Sequence, residues 1–134
     1  MVGLIVVTHC SIADELVRAA SMIVGEIPQC VTIGIGPEEK IEKIAERLEQ
    51  ALAAVDTGEG VLILTDLFGG TPSNVSLSFL QDKKVEVVSG INLPMILKLS
   101  LGRQGKDLRE VAREAREAGR KNISVASEIM KKRV

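Results

Sequence analysis

The stretch VLILTDLFGGTPSN, residues 61–74, joins a short apolar run to a glycine-rich turn and then to the start of a helix. The apolar residues 61–64 predict a buried strand, because such runs fill a sheet that is covered on both faces. Residues 65–74 predict a loop that enters a helix, with Thr71 as the N-cap and Pro72 at the first helical position. A strand followed directly by a helix is the repeating unit of an α/β fold.

The same alternation of apolar strands and amphipathic helices continues on both sides of this stretch. Further strands are predicted at residues 2–7, 31–35 and 85–88. Together they predict one α/β domain over residues 1–134, with an open, mostly parallel, doubly wound sheet in the order 2-1-3-4 and helices on both faces. Residues 123–125, with Ile123 and Val125 apolar, predict a short antiparallel edge strand followed by a short C-terminal tail.

Helix boundaries are predicted from apolar spacing and from capping residues. Apolar residues recur every three or four positions after the first and second strands, as in helices that bury one face. Pro37 is expected just before or at the start of the second helix, and Pro94 opens a short apolar helix that runs to about residue 101. Asp107 is expected to cap the last amphipathic helix, and Gly119 to end it.

Charge and composition argue against two classes of protein. The formal net charge is −1, and the chain has no Trp, no Tyr and only two Phe, Phe68 and Phe79. Nucleic-acid binders normally carry a basic excess and aromatic side chains for base stacking, so no nucleic-acid partner is expected. No stretch reaches the roughly 18 apolar residues of a membrane span. The first basic residue is Arg18, so no signal peptide is expected and the predicted location is cytoplasmic.

The carboxyl ends of the first and third strands are the expected functional site. In open α/β sheets, ligands bind outside these ends, at the point where the strand order reverses. Thr8 and His9, the only histidine, leave the first strand, and Asp66 leaves the third. The sequence therefore predicts that His9 and Asp66 lie side by side. Each residue also has an ordinary structural interpretation. His9 would be a strand-end histidine bonded to the main chain, and Asp66 would be a helix-capping acid.

A neutral imidazole beside a carboxylate suits phosphoryl transfer. One ring nitrogen attacks the phosphorus, while the carboxylate accepts the N–H of the other and stabilises the charge that develops. Gly69 and Gly70 allow the main chain to approach a ligand closely, and amides at the following helix start can bind phosphoryl oxygens, with a hydroxyl added by Thr71. These parts predict a phosphohistidine site that needs no cofactor.

A metal site is a poor alternative at this position. His9, Cys10 and Asp66 are potential ligands, but adjacent residues chelate poorly together, and zinc usually has three or four protein ligands. Cys10 and Cys30 match neither a disulfide framework nor a zinc module, so both thiols are expected to be reduced.

Three motifs in the correct order closely resemble the mannose-family enzyme IIA domains of the bacterial sugar phosphotransferase system. They are Thr8-His9 after the first strand, DLFGGTP at residues 66–72 and GINLPM at residues 90–95, and the resemblance spans essentially the whole chain. It implies that His9 is phosphorylated and that Asp66 orients its ring. The expected phosphate-binding and site-lining residues are Thr8, Phe68, Gly69, Gly70, Thr71 and Asn92.

The resemblance also implies partners. Family members accept the phosphoryl group from the phosphocarrier HPr and pass it to a IIB component, which phosphorylates the incoming sugar, with membrane IIC and IID components acting indirectly. They form homodimers whose last strand joins the partner's sheet, a role that residues 123–125 suit. The chain ends at Val134 with no linker to a IIB domain, so a stand-alone IIA is expected. Cys10 stands where the family often has glycine; a tolerated small residue is favoured over a thiol that narrows a partner's approach or tunes the site.

Alternative functions use the same residues. A regulatory phosphoprotein of an incomplete phosphotransferase system would carry an identical site. The phosphoryl-relay subunit of a dihydroxyacetone kinase has a similar first domain, although GGTP at residues 69–72 favours the mannose family. A receiver-like domain phosphorylated on Asp66 would need an acidic pair after the first strand, where this chain has Thr8, His9 and Cys10. The sequence leaves the sugar and the IIB partner open.

Overall fold

The computed structural model describes residues 1–80 and 84–133, in which four strands alternate with helices and three helices follow the last strand. The strands are β1 (Gly3–His9), β2 (Cys30–Ile35), β3 (Val61–Thr65) and β4 (Val85–Ser89). The helices are α1 (Ile12–Val24), α2 (Ile41–Val55), α3 (Thr71–Leu77), α4 (Leu93–Leu101), α5 (Leu108–Lys121) and α6 (Ala126–Arg133).

The strands form one parallel sheet in the order β2-β1-β3-β4, which confirms the predicted order. Strand β1 is central, with Val7 opposite Thr65 of β3 and His9 opposite Ile35 of β2. Strand β1 therefore continues two residues beyond its last pair with β3. The strand order reverses between β1 and β3, and their carboxyl ends lie at one edge of the sheet.

Helices cover both faces of the sheet, as predicted. On one face, alternate residues of β1 and β3 pack with α1, α4 and α5. On the other, the intervening residues, such as Ile5, Val7 and Ile63, pack with α2 and α3. Because strand side chains alternate between faces, a continuous apolar run is what two buried faces require. This double burial makes the sheet a rigid base for the loops at its carboxyl edge.

Two helix starts differ from the sequence predictions. The N-cap of α3 is Gly70, not Thr71, because the Gly70 carbonyl already accepts the Asn74 N–H at 2.9 Å. Pro37 does not lead into α2, which begins at Ile41 after Lys40. The side chain of Arg47 in α2 instead donates to the Glu39 carboxylate at 2.9 Å, which holds the preceding segment back against its own helix. Helix α2 therefore begins about one turn later than Pro37 indicated.

Helix α5 also continues beyond Gly119, the residue expected to end it. A Cβ atom on Gly119 would lie 2.8 Å from both Cγ and Sδ of Met95, so this glycine permits α4 and α5 to pack closely. The helix ends at Lys121, and the side chain of Asn122 donates to the Ala118 carbonyl at 2.7 Å. Asp107 caps α5 as predicted, since its carboxylate accepts the Glu110 N–H at 2.9 Å.

Residues 123–125 form no strand within the single chain that the structure describes. The expected edge strand is therefore absent from this chain's own sheet, and the expected tail is helical, as α6. Ile123 and Val125 are both exposed, because no element of the same chain covers them. Strand exchange with a second chain remains a prediction.

Arg103 closes the end of the domain opposite the carboxyl edge. Its side chain is buried, and its guanidinium donates to the carbonyls of Leu99 at 2.8 Å, Val2 at 2.6 Å and Pro28 at 2.5 Å. Burial lowers the pKa of Arg103. Burial also raises the pKa of the neighbouring Cys30 thiol to about 11, although the Arg103 charge acts to lower it. This buried cation ties together three segments that are distant in sequence.

Candidate functional site

His9 and Asp66 meet at the carboxyl edge of the sheet, as the strand order predicts. His9 is the last residue of β1, and Asp66 is the first residue after β3. The ring Nδ1 of His9 lies 2.8 Å from Oδ2 of Asp66, and the main-chain N–H of His9 donates to the same oxygen at 2.9 Å. The second oxygen, Oδ1, accepts the Leu67 N–H at 3.0 Å. Both carboxylate oxygens are therefore occupied by donors.

These donors keep Asp66 ionised. Partial burial acts to raise the pKa of this carboxyl, but the hydrogen bonds from the main chain and ring of His9 and the His9 charge outweigh it. The net result is a pKa of Asp66 below its usual value. A carboxylate can only accept hydrogen bonds, so Nδ1 of His9 carries the proton in the pair. When the ring is neutral, its lone pair is therefore on the other nitrogen, Nε2.

The Gly70 main chain lies against the His9 ring. A Cβ atom at Gly70 would be 2.9 Å from Cε1 of His9 and 3.4 Å from Nε2. The φ of Gly70 is −86°, which any residue adopts, so clearance for the ring is the reason for this glycine. Gly69 differs, because its φ of 98° requires the left-handed region. The two adjacent glycines therefore serve different physical needs.

The loop after β1 is also held in an unusual conformation. Cys10 has a φ of 50°, which is uncommon for a residue with a side chain, and its thiol is free and exposed. Its N–H donates to the Ile35 carbonyl at 2.8 Å, so β2 supports the turn that follows His9. The backbone here suits glycine better than cysteine.

Two of the residues expected to line the site, Thr8 and Asn92, make hydrogen bonds that hold neighbouring elements in place. Thr8 is fully buried, and its hydroxyl accepts the Ala13 N–H at 2.8 Å at the start of α1. Asn92 is the N-cap of α4; its Oδ1 accepts the Met95 N–H at 3.2 Å, and its Nδ2 donates to the Gly119 carbonyl at 3.1 Å. Both side chains thus hold loops and helices in place, with their polar atoms already engaged.

The remaining predicted residues lie on the loop between β3 and α3. Phe68 and Thr71 are both exposed. Ser73, two residues beyond Thr71, is fully buried, and its hydroxyl has no hydrogen-bond partner in the structure as described. The sequence contained no signal that separates this serine from its exposed neighbours, because its burial depends on how α3 packs against the sheet.

The geometry supports nucleophilic chemistry at Nε2 of His9. The ring is held by an ionised carboxylate, its second nitrogen is free of that bond, and 45 % of the side chain is exposed to solvent. A group carried by another molecule can therefore reach the ring. Over residues 1–80 and 84–133, the structure brings together no group of three His, Cys, Asp or Glu side chains able to hold a metal ion. None of the described helices is long and apolar enough to cross a bilayer.

Comparison with known proteins gives a consistent set of relatives. A family described as "PTS system fructose IIA component" (EIIA-man) matches residues 3–116. The chain is 32% identical over 124 residues to the mannose-specific EIIAB component of Escherichia coli, and this match covers 91% of the chain but only 38% of that protein. It is 29% identical over 133 residues to the fructose-specific EIIA component of Bacillus subtilis, covering 98% of the chain and 91% of that protein.

Solved structures agree with the sequence relatives. The EIIA component of Streptococcus agalactiae superimposes with a TM-score of 0.87 at 26% identity, covering 96% of this chain and 99% of that one.

Proposed function

Because the chain belongs to the EIIA-man family of phosphotransferase-system IIA components, we propose that His9 carries a phosphoryl group in transit between two other proteins. The observation that supports this most directly is the 2.8 Å contact between Nδ1 of His9 and Oδ2 of Asp66, which leaves Nε2 as the free nitrogen. The proposed donor is phospho-HPr, and the proposed acceptor is a IIB component.

In the first transfer, the lone pair of Nε2 attacks the phosphorus of the donor. The new N–P bond forms at His9 as the donor's N–P bond breaks, and the bonding electrons return to the donor imidazole. In the second transfer, the N–P bond at His9 breaks and the phosphoryl group moves to the nucleophile of the IIB component. No bond of Asp66 is made or broken in either step.

Asp66 acts by holding the proton of Nδ1 and by stabilising positive charge on the ring. The ring becomes cationic as Nε2 bonds to phosphorus, and the adjacent carboxylate lowers the energy of that cation. Because the carboxylate is already ionised and oriented in the resting structure, the transfer requires no rearrangement of the pair.

We assign the phosphoryl oxygens to the main chain of residues 69–71 and to the hydroxyl of Thr71. Gly70 brings the main chain against the ring that would carry the phosphoryl group. Thr71 is exposed at the first position of α3, directly after Gly70. Amides and hydroxyls there would donate to oxygens whose negative charge grows during transfer.

The wider context of the transfer is also a proposal. The protein would act in the cytoplasm. Sugar uptake would follow through IIB and the membrane IIC and IID components.

A homodimer would form when residues 123–125 of one chain pair with the free edge of β4 in the other. Strand β4 ends the described sheet, and beside it lies a groove of about 430 Å³ between residues 86–89 and three arginines of α5. An edge strand of this kind is open to a further strand.

The test is phosphorylation by purified components. The protein is incubated with phosphoenolpyruvate, enzyme I and HPr, and its intact mass is measured, with His9→Ala as the matched control. We expect the wild type to gain one phosphoryl group that is stable at high pH and lost in mild acid, as phosphoramidates are. An identical adduct on His9→Ala, or none on the wild type, would contradict the assignment.

A further inference from the structure

Thr65, the last residue of β3, is bonded to the loop after β4 through both its carbonyl and its hydroxyl. The carbonyl accepts the N–H groups of Gly90 at 2.9 Å and Ile91 at 3.0 Å. The hydroxyl donates to Oγ of Ser89 at 2.9 Å, and these two residues also lie opposite each other in the pairing of β3 with β4. The carboxyl ends of the two strands are therefore fastened together at Thr65.

The Thr65 carbonyl belongs to the peptide group that leads directly into Asp66. A peptide group is planar, so the bonds that hold this carbonyl also hold the Asp66 N–H and limit the directions open to its side chain. Pairing between β1 and β3 ends with Val7 opposite Thr65. Beyond that point the Asp66 carboxylate accepts the His9 N–H, as a main-chain carbonyl does within a sheet. The support of this carboxylate therefore depends on Thr65.

A hydroxyl is an unusual side chain at this place in the sheet. The rest of β3, residues 61–64, is apolar and buried. The Thr65 side chain is also fully buried, on the same face as Ile63, which packs with α2 and α3. Valine has nearly the same shape and would fill this place without a polar atom, whose burial is unfavourable unless it forms a hydrogen bond. The bond to Ser89 supplies that partner, and it has a direction that apolar packing lacks.

We propose that Thr65 is a positioning residue for phosphoryl transfer, held by Ser89 and acting through the Asp66 carboxylate. This rests on the function proposed above and adds a residue to it. The hydroxyl bond keeps the loop after β4 against β3, so that its N–H groups hold the peptide group before Asp66. The carboxylate then faces Nδ1 of His9, and Nε2 is the nitrogen that receives the phosphoryl group. Thr65 itself takes no part in the chemistry.

The first measurement observes the ring directly. The chain has one histidine, so the imidazole nitrogen NMR signals of tag-free protein come from His9 alone. At a pH where the ring is neutral, these signals report the share of molecules with the proton on Nδ1. Thr65→Val removes the hydroxyl and keeps the shape, whereas Thr65→Ser keeps the hydroxyl. Ser76→Ala is the matched control, because Ser76 is also fully buried and its hydroxyl donates to the Pro72 carbonyl at 2.6 Å within α3.

The second measurement is transfer from phospho-HPr over a range of donor concentrations, with Ser89→Ala and the double variant Thr65→Val/Ser89→Ala added to the set. We expect Thr65→Val to lower kcat about three- to tenfold, with KM within about twofold of wild type, and to move the ring proton partly onto Nε2. Ser89→Ala should change the ring signals in the same direction. The double variant should lose no more than Thr65→Val alone, since both substitutions remove the same hydrogen bond.

The controls separate positioning from a general loss of stability. Thr65→Ser should retain the wild-type kcat and ring signals, and Ser76→Ala should lower the urea midpoint without changing either. Wild-type ring signals in Thr65→Val and Ser89→Ala would overturn the proposal, and so would equal changes in Ser76→Ala or additive losses in the double variant. A wild type that accepts no phosphoryl group would instead contradict the proposed function, while the ring signals would still test Thr65. The two failures are therefore distinguishable.

Discussion

One carboxylate oxygen, Oδ2 of Asp66, accepts two hydrogen bonds from His9, from its main-chain N–H at 2.9 Å and from Nδ1 of its ring at 2.8 Å. The main-chain bond fixes the end of β1 relative to the end of β3, and the ring bond fixes the side chain relative to both. The orientation of Nε2 is thus tied to the sheet and not only to a side-chain rotamer. A change at Asp66 is expected to affect the direction as well as the charge of the ring.

Replacing Asp66 by Asn should slow phosphoryl transfer by a factor between about 10² and 10⁴. The amide removes the negative charge that stabilises the ring cation, and its NH₂ group can favour the tautomer with the lone pair on Nδ1. The measurement is rapid-quench transfer from phospho-HPr, with circular dichroism to follow the fold. A rate within about twofold of wild type, with the helix signal retained, would show that Asp66 only caps the loop.

Gly70→Ala should impair transfer while leaving stability nearly unchanged. The new Cβ would lie 2.9 Å from Cε1 of His9, so one of the two groups must shift, and we expect the ring to lose its alignment with Asp66. The Gly70 backbone is ordinary, so the fold should lose less than about 1 kcal/mol. We expect a rate loss of about 10- to 100-fold.

The control for this substitution is Gly36→Ala. A Cβ atom on Gly36 meets no atom within 4 Å, so this variant should transfer at the wild-type rate. Equal rates for the two alanine variants would show that the His9 ring tolerates a neighbour at position 70.

Cys10→Gly should change the stability and the phosphoryl-transfer rate very little. The φ of 50° at Cys10 is easily adopted by glycine, and the relief of strain is offset by the greater freedom of glycine in the unfolded chain. We expect urea unfolding free energies within about 1 kcal/mol of wild type and transfer rates within about twofold. A large loss of transfer rate would assign the Cys10 thiol a part in the site.

Acid should destabilise the wild type more than Asp66→Asn. The pKa of Asp66 is lowered in the folded state, so below the ordinary aspartate pKa of about 3.9 the unfolded chain binds the proton first. The stability that Asp66 contributes is present above that pH and is lost as the pH falls through the folded value. Urea midpoints of both proteins between pH 6 and pH 3 should therefore converge toward low pH. Parallel curves would contradict a lowered pKa.

Removing the residues after Asn122 should convert a dimer into a monomer. Ile123 and Val125 are exposed in the single chain, and pairing with the free edge of β4 in a second chain would cover them. Cutting after Asn122 keeps the whole of α5 and its capping side chain. Light scattering at tens of micromolar is the measurement. A monomeric full-length protein, or an equally stable truncated dimer, would contradict strand exchange.

The sequence alone determined the order of the four strands and the first five helices, the two-faced sheet and the meeting of His9 with Asp66. These features depend on local apolar patterns and on the general rule that parallel strands present their carboxyl ends at one edge. His9 and Asp66 are 57 residues apart, yet the rule places them together because His9 ends β1 and Asp66 directly follows β3. The order β2-β1-β3-β4 confirms that reasoning.

Only the tertiary structure decided the roles of Asn92, Gly119 and Arg103. Asn92 and Gly119 meet across 27 residues, and Arg103 binds the carbonyl of Val2 across 101. No local pattern records such contacts: the same asparagine suits a ligand site or a helix cap, and the same glycine suits a helix end or a close helix crossing. Which role a residue takes depends on the packing of elements that are distant in sequence, since packing decides which polar atoms are left without water and must find partners in the protein.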